Sequence, residues 1–420
     1  MPSETLRNGT IVDLEIGPVA HGGHCVARHE GRVVFVRHTL PGERVRARLT
    51  DASPDASFWR ADAVEVLEAS PDRVPSAWPA AGPGGVGGGE LAHVALPAQR
   101  AWKRAVLAEQ LRRLAKLDLE PEVVAAPGDD ARGGLAWRTR IDLHVDAEGR
   151  AGMRAYRSHD VLPLTDMPLA TEHVAALGLF DRRWPAGSRI EAVAPADGSS
   201  ALVLLDGAPF DLHSNRRDLR PNARAAVREH VDVAGTAYDY RVAAAGFWQV
   251  HREAPALLAS RVLEAVGDVA GATVLDLYSG AGLFSAPLAD AIGPDGRLVA
   301  VEGDERAVRD ARRNAHDRPQ VELHAGDVLD VLRGRGGAAP AVAAADVVVL
   351  DPPRTGAGRK VVDAIAALRP RRVVYVACDP AALARDVALL GERGWSDVTI
   401  TGHDLFPMTH HLEAVAVLDR

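Results

Sequence analysis

The chain has 420 residues, which is long for a single domain and predicts two or three. A hydrophobic content of 47% and a charged content of 25% are those of a globular protein and exclude extended disorder. The net charge of -8 argues against nucleic-acid binding by bulk electrostatics, although a local basic groove is compatible with it. Two cysteines, Cys25 and Cys378, are too few for a disulfide framework or an all-cysteine metal site.

Signals that direct a protein into or across a membrane are missing from the sequence. No apolar run is long enough to span a bilayer, and the first residues, MPSETLRNG, lack the apolar core of a signal peptide. We therefore expect a cytoplasmic protein without a membrane partner.

The first predicted unit, residues 1–70, is a small β-barrel. Four segments are rich in valine and isoleucine, at 9–16, 31–36, 44–49 and 61–67, and short turn sequences with glycine or proline (GG, PG and SP) separate them. Short strands at this spacing are typical of five-stranded barrels that bind oligonucleotides, although many such barrels bind nothing. Most of the charges in this unit are expected on a solvated face.

The second predicted unit, residues 71–242, is an α+β domain. It begins with the glycine- and proline-rich stretch at 78–90, WPAAGPGGVGGGE, which predicts a linker or an ordered loop. A helix is expected from Pro97 to about Lys116, where apolar residues recur at helical spacing, and strands dominate afterwards. Near the end of the unit, a run of arginines is compatible with a substrate phosphate contact or with a solvated helix face: Arg216, Arg217, Arg220, Arg224 and Arg228.

The third predicted unit, residues 243–420, alternates strands and helices, which predicts a mainly parallel, doubly wound α/β sheet. In such sheets, ligands bind outside the carboxyl ends of the strands. The residues at these ends are therefore candidates for a site: Asp276, Glu302, Asp327, Asp351 and Cys378.

The segment from Val274 to Ser285, VLDLYSGAGLFS, predicts a strand, a tight turn and the start of a helix. Gly280 and Gly282 permit the turn and a close approach of a ligand to the backbone. Ser285 stands where a dinucleotide site requires a third glycine, and Glu302 ends the next strand, where a carboxylate binds ribose hydroxyls. These features favour S-adenosylmethionine over a dinucleotide or an empty structural turn.

Three later residues are candidates for chemistry. Asp351 precedes two prolines that fix the backbone. This pattern indicates either a carboxylate that is positioned to hold a ligand or a rigid turn without a ligand. Cys378 is either a small buried hydrophobic residue or a nucleophile whose pKa its surroundings lower. Glu413 is either an exposed residue or a base. His410 and His411 precede it, but no third ligand at metal-site spacing accompanies them, so no metal is expected.

Five motifs in order resemble the RNA (uracil-5-)-methyltransferase family over nearly the whole length: GFWQVH with Gln249, DLYSGAG, DPPRTG, YVACDPAALARD and FPMTHHLE. The resemblance implies a TRAM domain at 1–70, a central domain at 71–242 and a Rossmann-like methyltransferase domain at 243–420. It also implies formation of 5-methyluridine in ribosomal or transfer RNA with S-adenosylmethionine as cofactor.

By the same resemblance, Cys378 would add to C6 of uracil, C5 would accept the methyl group, and Glu413 would remove the C5 proton. Gln249 would contact the methionine part of the cofactor or the target base. The remaining residues implied in cofactor binding are Tyr278, Gly280, Gly282, Leu283, Glu302, Asp327 and Asp351.

The chain departs from this family at one place. Many members hold an iron–sulfur cluster with a CxnCGGC motif and a later cysteine, but Trp78, Val86, Gly89 and Met167 stand at those positions here. Because all four thiolates are missing, no cluster is expected.

Two other classes of function remain compatible with the sequence. One is an RNA-binding relative without activity, against which the presence of Cys378 and Glu413 weighs. The other is a methyltransferase of a small molecule or protein, in which the barrel would need another role. The oligomeric state is open, with a monomer expected.

Overall fold

The N-terminal residues close into a β-barrel in the computed structural model, which describes residues 7–53, 55–220, 222–334 and 340–420. Residues 1–6 of the predicted unit 1–70 lie outside the described residues. Around the barrel the strand order is β1-β2-β3-β5-β4, with the bounds β1 Ile11–Ala20, β2 His24–His29, β3 Arg32–Arg37, β4 Arg44–Asp51 and β5 Phe58–Glu68. In β4, Val45, Ala47 and Leu49 are buried while the arginines between them are exposed, which is the pattern of a strand with one solvated face. The sequence pattern did not reveal β2, since HCVARH has no valine- or isoleucine-rich run.

A long helix follows the barrel and packs against both the barrel core and the C-terminal core. The helix α1, Leu96–Gln110, has a proline in its first turn and continues as a π-helical turn, Leu111–Ala115, to the left-handed residue Lys116. This agrees with the predicted helix from Pro97 to about Lys116. Leu107 and Leu111 pack in the core of the C-terminal sheet.

The central segment is built on an antiparallel sheet of seven strands in the order β13-β12-β11-β10-β7-β8-β9. Its elements are β7 Arg140–Val145, β8 Ala151–Arg154, β9 Val161–Pro163, α2 Glu172–Ala175, β10 Arg189–Val193, β11 Leu202–Leu205, β12 Ala208–Asp211 and β13 Arg216–Arg217. A separate hairpin, β14 Ala226–Val233 and β15 Thr236–Ala243, leads into the C-terminal segment.

The arginine run at 216–228 does not form a helix face, so that interpretation is wrong. Its residues lie in β13, in β14 and between them. Three of the five guanidinium groups already have partners within the segment, in the pairs Arg217–Asp206, Arg220–Asp218 and Arg224–Ser200.

The C-terminal segment forms an eight-stranded sheet in the order β18-β17-β16-β19-β20-β22-β21-β6. Its strands are β6 Val123–Ala125, β16 Thr273–Leu277, β17 Arg297–Glu302, β18 Val321–Ala325, β19 Val347–Leu350, β20 Arg372–Ala377, β21 Asp397–Asp404 and β22 Glu413–Asp419. The helices are α3 Ala254–Val266, α4 Ser285–Ile292, α5 Glu305–Asn314, α6 Val328–Arg333, α7 Gly358–Ala367 and α8 Pro380–Gly391.

Helices cover both faces of this sheet, as the alternation of strands and helices predicted. Val274 and Val349 pack in one core with α3 and α4, whereas Leu275 and Val348 pack in a second core with α6, α7 and α8. Because both faces are buried, the central strands are mostly apolar, as in VVVL of β19. No helix of the described residues is long and apolar enough to cross a membrane.

The boundary predicted at residues 242/243 places the segment of β6 in the central unit, whereas in the structure β6 belongs to the sheet of the C-terminal segment. The short strand β6 pairs in parallel with β21, although it lies more than one hundred residues before the other strands of that sheet. A three-residue strand is too short to show a pattern in the sequence, and its partner β21 was also not predicted.

Candidate active site

The carboxyl ends of the parallel strands and the start of β22 surround a cavity of about 1000 Å³. This is where the topology of a doubly wound sheet places a ligand. Of the eleven residues proposed from the sequence, all but Gly282 and Asp276 line it: Gln249, Tyr278, Gly280, Leu283, Glu302, Asp327, Asp351, Cys378 and Glu413.

Gly282 is the exception among the predicted cofactor contacts, because it is not part of the cavity lining. A side chain there would point at Ala311 of α5, with a Cβ 3.8 Å from the Ala311 Cα. Its φ of +90° lies in the left-handed region, which explains why the turn has glycine at this position.

The glycine turn is held to the neighbouring strand by Glu302. The Gly280 amide donates a hydrogen bond to Glu302 Oε2 at 2.8 Å, and the Asp304 amide donates to Oε1 at 2.6 Å. The carboxylate therefore lies at the cavity with its position fixed by two backbone donors.

Ser285 explains why the third glycine of a dinucleotide site is missing. Its hydroxyl donates a hydrogen bond to Asp276 Oδ2 at 2.5 Å, below the turn. Asp276 is buried and does not line the cavity, and burial raises the pKa of its carboxyl group to about 7, with a smaller contribution from Glu302. The Ser285 hydroxyl therefore hydrogen-bonds a buried acid instead of a phosphate.

Asp327 lines the cavity and also caps a helix. Its Oδ1 accepts hydrogen bonds from the amides of Leu329 and Asp330, at 2.9 and 3.2 Å, at the start of α6. The capping fixes the side chain at the rim and leaves Oδ2 as the oxygen that a ligand can use.

Cys378, Asp351 and Glu413 form the polar end of the cavity. Burial raises the pKa of Asp351 to about 7, with a contribution from Asp276, and it raises that of Glu413 well above the ordinary value, with a contribution from Asp351. Burial, followed by the charges of Glu413 and Asp351, also raises the pKa of Cys378 to about 11. The sequence-based expectation of a lowered thiol pKa is therefore wrong for the protein alone.

Arg354 is the cation that opposes these shifts. It lines the cavity, and its charge lowers the pKa of both Cys378 and Glu413. In a buried site with two carboxyl groups and one thiol, a further positive charge would favour the ionised form of all three. The cavity is thus electrostatically suited to a cationic ligand.

Comparison with known proteins identifies the family. Residues 6–64 match the TRAM domain, residues 228–341 match protein-L-isoaspartate(D-aspartate) O-methyltransferase, and residues 341–420 match tRNA (uracil-5-)-methyltransferase. An uncharacterized RNA methyltransferase of Streptomyces avermitilis is 43% identical, with 98% of each chain covered. The 23S rRNA (uracil(1939)-C(5))-methyltransferase RlmD of Alkalilimnicola ehrlichii is 32% identical, with 97% of this chain and 96% of that one covered. The chain belongs to the RNA (uracil-5-)-methyltransferase family.

The fold of this RNA methyltransferase is also seen in a solved structure. The Pyrococcus abyssi tRNA (uracil-54, C5)-methyltransferase in complex with S-adenosyl-L-homocysteine matches with a TM-score of 0.69 and 21% identity. The match covers 96% of this chain and 99% of that one. The predicted fold class and the predicted enzyme class, an S-adenosylmethionine-dependent RNA (uracil-5-)-methyltransferase, are confirmed.

The glycine-rich loop of this RNA methyltransferase does not fit an iron–sulfur cluster. Trp78, Val86 and Met167 are buried in one apolar core, and a Cβ at Gly89 would lie 2.8 Å from Trp78 Cε3. The indole ring therefore fills the space beside Gly89. The loop is held in place by backbone hydrogen bonds, including one of 2.9 Å from the Val86 amide to the Ala80 carbonyl.

Two features of the RNA methyltransferase site were not found from the sequence. Phe247 lines the cavity yet is 71% exposed, and only the neighbouring Gln249 had been singled out. Glu90, at the end of the glycine-rich loop, hydrogen-bonds His410 across 320 positions of sequence. The expectation of no metal rested only on spacing along the chain, whereas in space Glu90 lies beside both His410 and His411.

Proposed function

We propose that this enzyme methylates C5 of a uridine in ribosomal or transfer RNA through a covalent bond between Cys378 Sγ and C6. The observation that carries the proposal is the convergence of Cys378, Glu413 and Asp351 on one cavity that also contains Glu302 and the glycine turn. The RlmD relative makes ribosomal RNA the first substrate to test.

The covalent step is required because C5 of uracil is a poor carbon nucleophile. The Cys378 thiolate adds to C6, and the electron pair of the C5–C6 double bond moves towards C5 and the C4 carbonyl. S-adenosylmethionine supplies the methyl group on a positively charged sulfur, which leaves as a neutral thioether when C5 takes the methyl group.

Glu413 completes the reaction. After methyl transfer, C5 carries both a proton and a methyl group, and the Glu413 carboxylate accepts that proton. The electron pair of the broken C5–H bond re-forms the C5–C6 double bond, and the C6–S bond breaks to return the Cys378 thiolate. Glu413 must be ionised for this step, which the positive charge of Arg354 favours because it lowers the pKa of that carboxyl group.

Phe247 supports the use of an unpaired base. A uracil must leave the RNA stack to reach a buried thiol, and an exposed aromatic ring beside the cavity offers a surface on which an extruded base stacks. Gln249, two residues further on, lines the same cavity and offers an amide for hydrogen bonds to the base or to the cofactor.

The test uses methyl-labelled S-adenosylmethionine with unmodified ribosomal and transfer RNA transcripts, followed by digestion to nucleosides. We expect label in 5-methyluridine with wild type and with Cys25→Ala, which removes the only other cysteine, buried in the barrel. Cys378→Ala should give no label while still binding the cofactor.

A second variant separates the two halves of the mechanism. Glu413→Gln should allow addition and methyl transfer but not elimination, so a denaturant-resistant, protease-sensitive protein–RNA adduct should accumulate. Turnover by Cys378→Ala would overturn the covalent mechanism. Absence of label in every RNA, with cofactor binding intact, would favour a non-RNA substrate or a lost activity.

A further inference from the structure

Three side chains from distant parts of the sequence converge beside the active-site cavity. Glu90 comes from the end of the glycine-rich loop, and His410 and His411 come from the segment that leads into Glu413. One ligand atom from each lies within 4.8 Å of the other two. The two imidazole rings are packed together, with their centroids 4.2 Å apart.

This cluster has hydrogen-bonding capacity that it does not use. His410 Nδ1 is bonded to Glu90 Oε1, but Glu90 Oε2 is buried and has no hydrogen-bond partner among the described residues. The imidazole of His411 also has no hydrogen bond to any of the described residues. A buried carboxylate oxygen without a partner is unfavourable, and a bound cation is one way to satisfy it.

The barrel closes over the cluster at a glycine. The turn between β1 and β2 passes so near that a Cβ at Gly23 would lie 3.1 Å from His410 Nδ1 and 3.2 Å from Glu90 Cγ. His411, on the other side, lines the active-site cavity. The cluster is thus enclosed by protein at Gly23 and open to a small ligand from the cavity.

The donor atoms are those that first-row divalent metals prefer. Two imidazole nitrogens and one carboxylate oxygen form the set that holds zinc in sites that keep a fourth position for water.

We propose that Glu90, His410 and His411 bind one divalent transition-metal ion of the zinc class. The ion would tie the glycine-rich loop to the segment that carries Glu413, and water from the cavity would complete its coordination. This site is separate from the cysteine, carboxylate and cofactor chemistry of methyl transfer.

The experiment titrates the full-length, chelator-treated protein with zinc and with cobalt. We expect one metal per chain, a visible cobalt spectrum of a four- or five-coordinate site, and a higher unfolding temperature with zinc. Each of Glu90→Gln, His410→Asn and His411→Asn should weaken binding by at least about tenfold. Circular dichroism of the metal-free variants establishes that they are folded.

The matched control is His93→Gln. His93 is also buried, lies three residues after Glu90 and is not part of the cluster, so the variant should bind metal as wild type does. Failure of wild type to bind one metal per chain would overturn the proposal. Wild-type affinity in any of the three cluster variants, or equal loss in His93→Gln, would overturn it as well.

Discussion

Lys103 of α1 donates a hydrogen bond to Asp404 Oδ1 at 2.5 Å, and both side chains are almost fully buried, with exposures of 0% and 1%. The same ammonium group donates to the Phe406 carbonyl at 3.0 Å. One turn earlier, Gln99 Oε1 accepts a hydrogen bond from the Met408 amide at 2.7 Å. Helix α1 thus holds the segment that leads to Glu413.

Breaking this pair on one side should be costly. Lys103→Met leaves the Asp404 carboxylate buried without its cation, so the free energy of unfolding should fall by about 3–5 kcal/mol. Adding Asp404→Leu removes the unpaired buried charge and should recover most of the lost free energy of unfolding. Denaturant titration measures both variants, and Arg112→Met, which breaks an exposed pair with Asp118, should cost less than about 1 kcal/mol. Full stability of Lys103→Met alone would contradict this account.

Gly89→Ala should destabilise the glycine-rich loop because its Cβ would meet the Trp78 ring at 2.8 Å and Ala81 Cβ at 2.7 Å. Overpacking of a buried site typically costs about 1–3 kcal/mol. The control is Gly87→Ala in the same loop, where no atom of the described residues lies within 4 Å of the added Cβ and little change is expected. Thermal unfolding compares the two variants, and equal melting temperatures would show that Trp78 does not fill the space beside Gly89.

The thiol of Cys378 should behave as a weak acid in the free enzyme. Because burial, Glu413 and Asp351 raise its pKa to about 11, the rate of alkylation by iodoacetamide should rise by about tenfold per pH unit up to pH 10 without a plateau. At pH 9, Glu413→Gln should react faster, since it removes a negative charge that raises the thiol pKa. Measurements in a Cys25→Ala background isolate Cys378, and a plateau near neutrality would be inconsistent with the prediction.

The stability of the enzyme should fall as Asp276 becomes ionised. Burial raises the pKa of this carboxyl group to about 7, whereas it is about 3.9 in an unfolded chain. Between these values the folded state keeps a proton that the unfolded state has released, so the free energy of unfolding falls by up to about 1.4 kcal/mol per pH unit and then levels off above 7.

Asp276→Asn removes this titration. The stability of the variant relative to wild type should therefore increase between pH 4 and pH 7 and stay constant at higher pH. Urea titration at a series of pH values provides the measurement, and Asp295→Asn, at an exposed position, is the control. Parallel stability profiles for wild type and Asp276→Asn would rule out a buried carboxyl group with a raised pKa.

Cofactor binding should depend on pH because of Asp351. A positively charged sulfonium favours ionised carboxylates around it, so S-adenosylmethionine should bind more tightly as the pH rises through about 7, the pKa to which burial raises Asp351. S-adenosyl-L-homocysteine has no such charge and should show a flatter profile. Calorimetry compares the two ligands, and Asp351→Asn should reduce the difference. The same profile for both ligands would exclude charge coupling at this site.

Much of the site follows from the sequence. Asp351, Cys378 and Glu302 each end an apolar segment, and parallel strands alternating with helices bring such ends to one edge of a sheet. The order of the motifs was sufficient to identify the family, and the missing thiolates were visible by inspection.

Only the tertiary structure decided how those residues behave. The raised pKa of Cys378 depends on how deeply its neighbours bury it, and the pairing of Ser285 with Asp276 depends on how tightly the turn closes over the strand. Contacts between distant segments, such as Glu90 with His410, leave no trace in local spacing or composition. Local patterns determine which elements form and which residues end them, whereas burial and long-range packing determine the charges and partners of those residues.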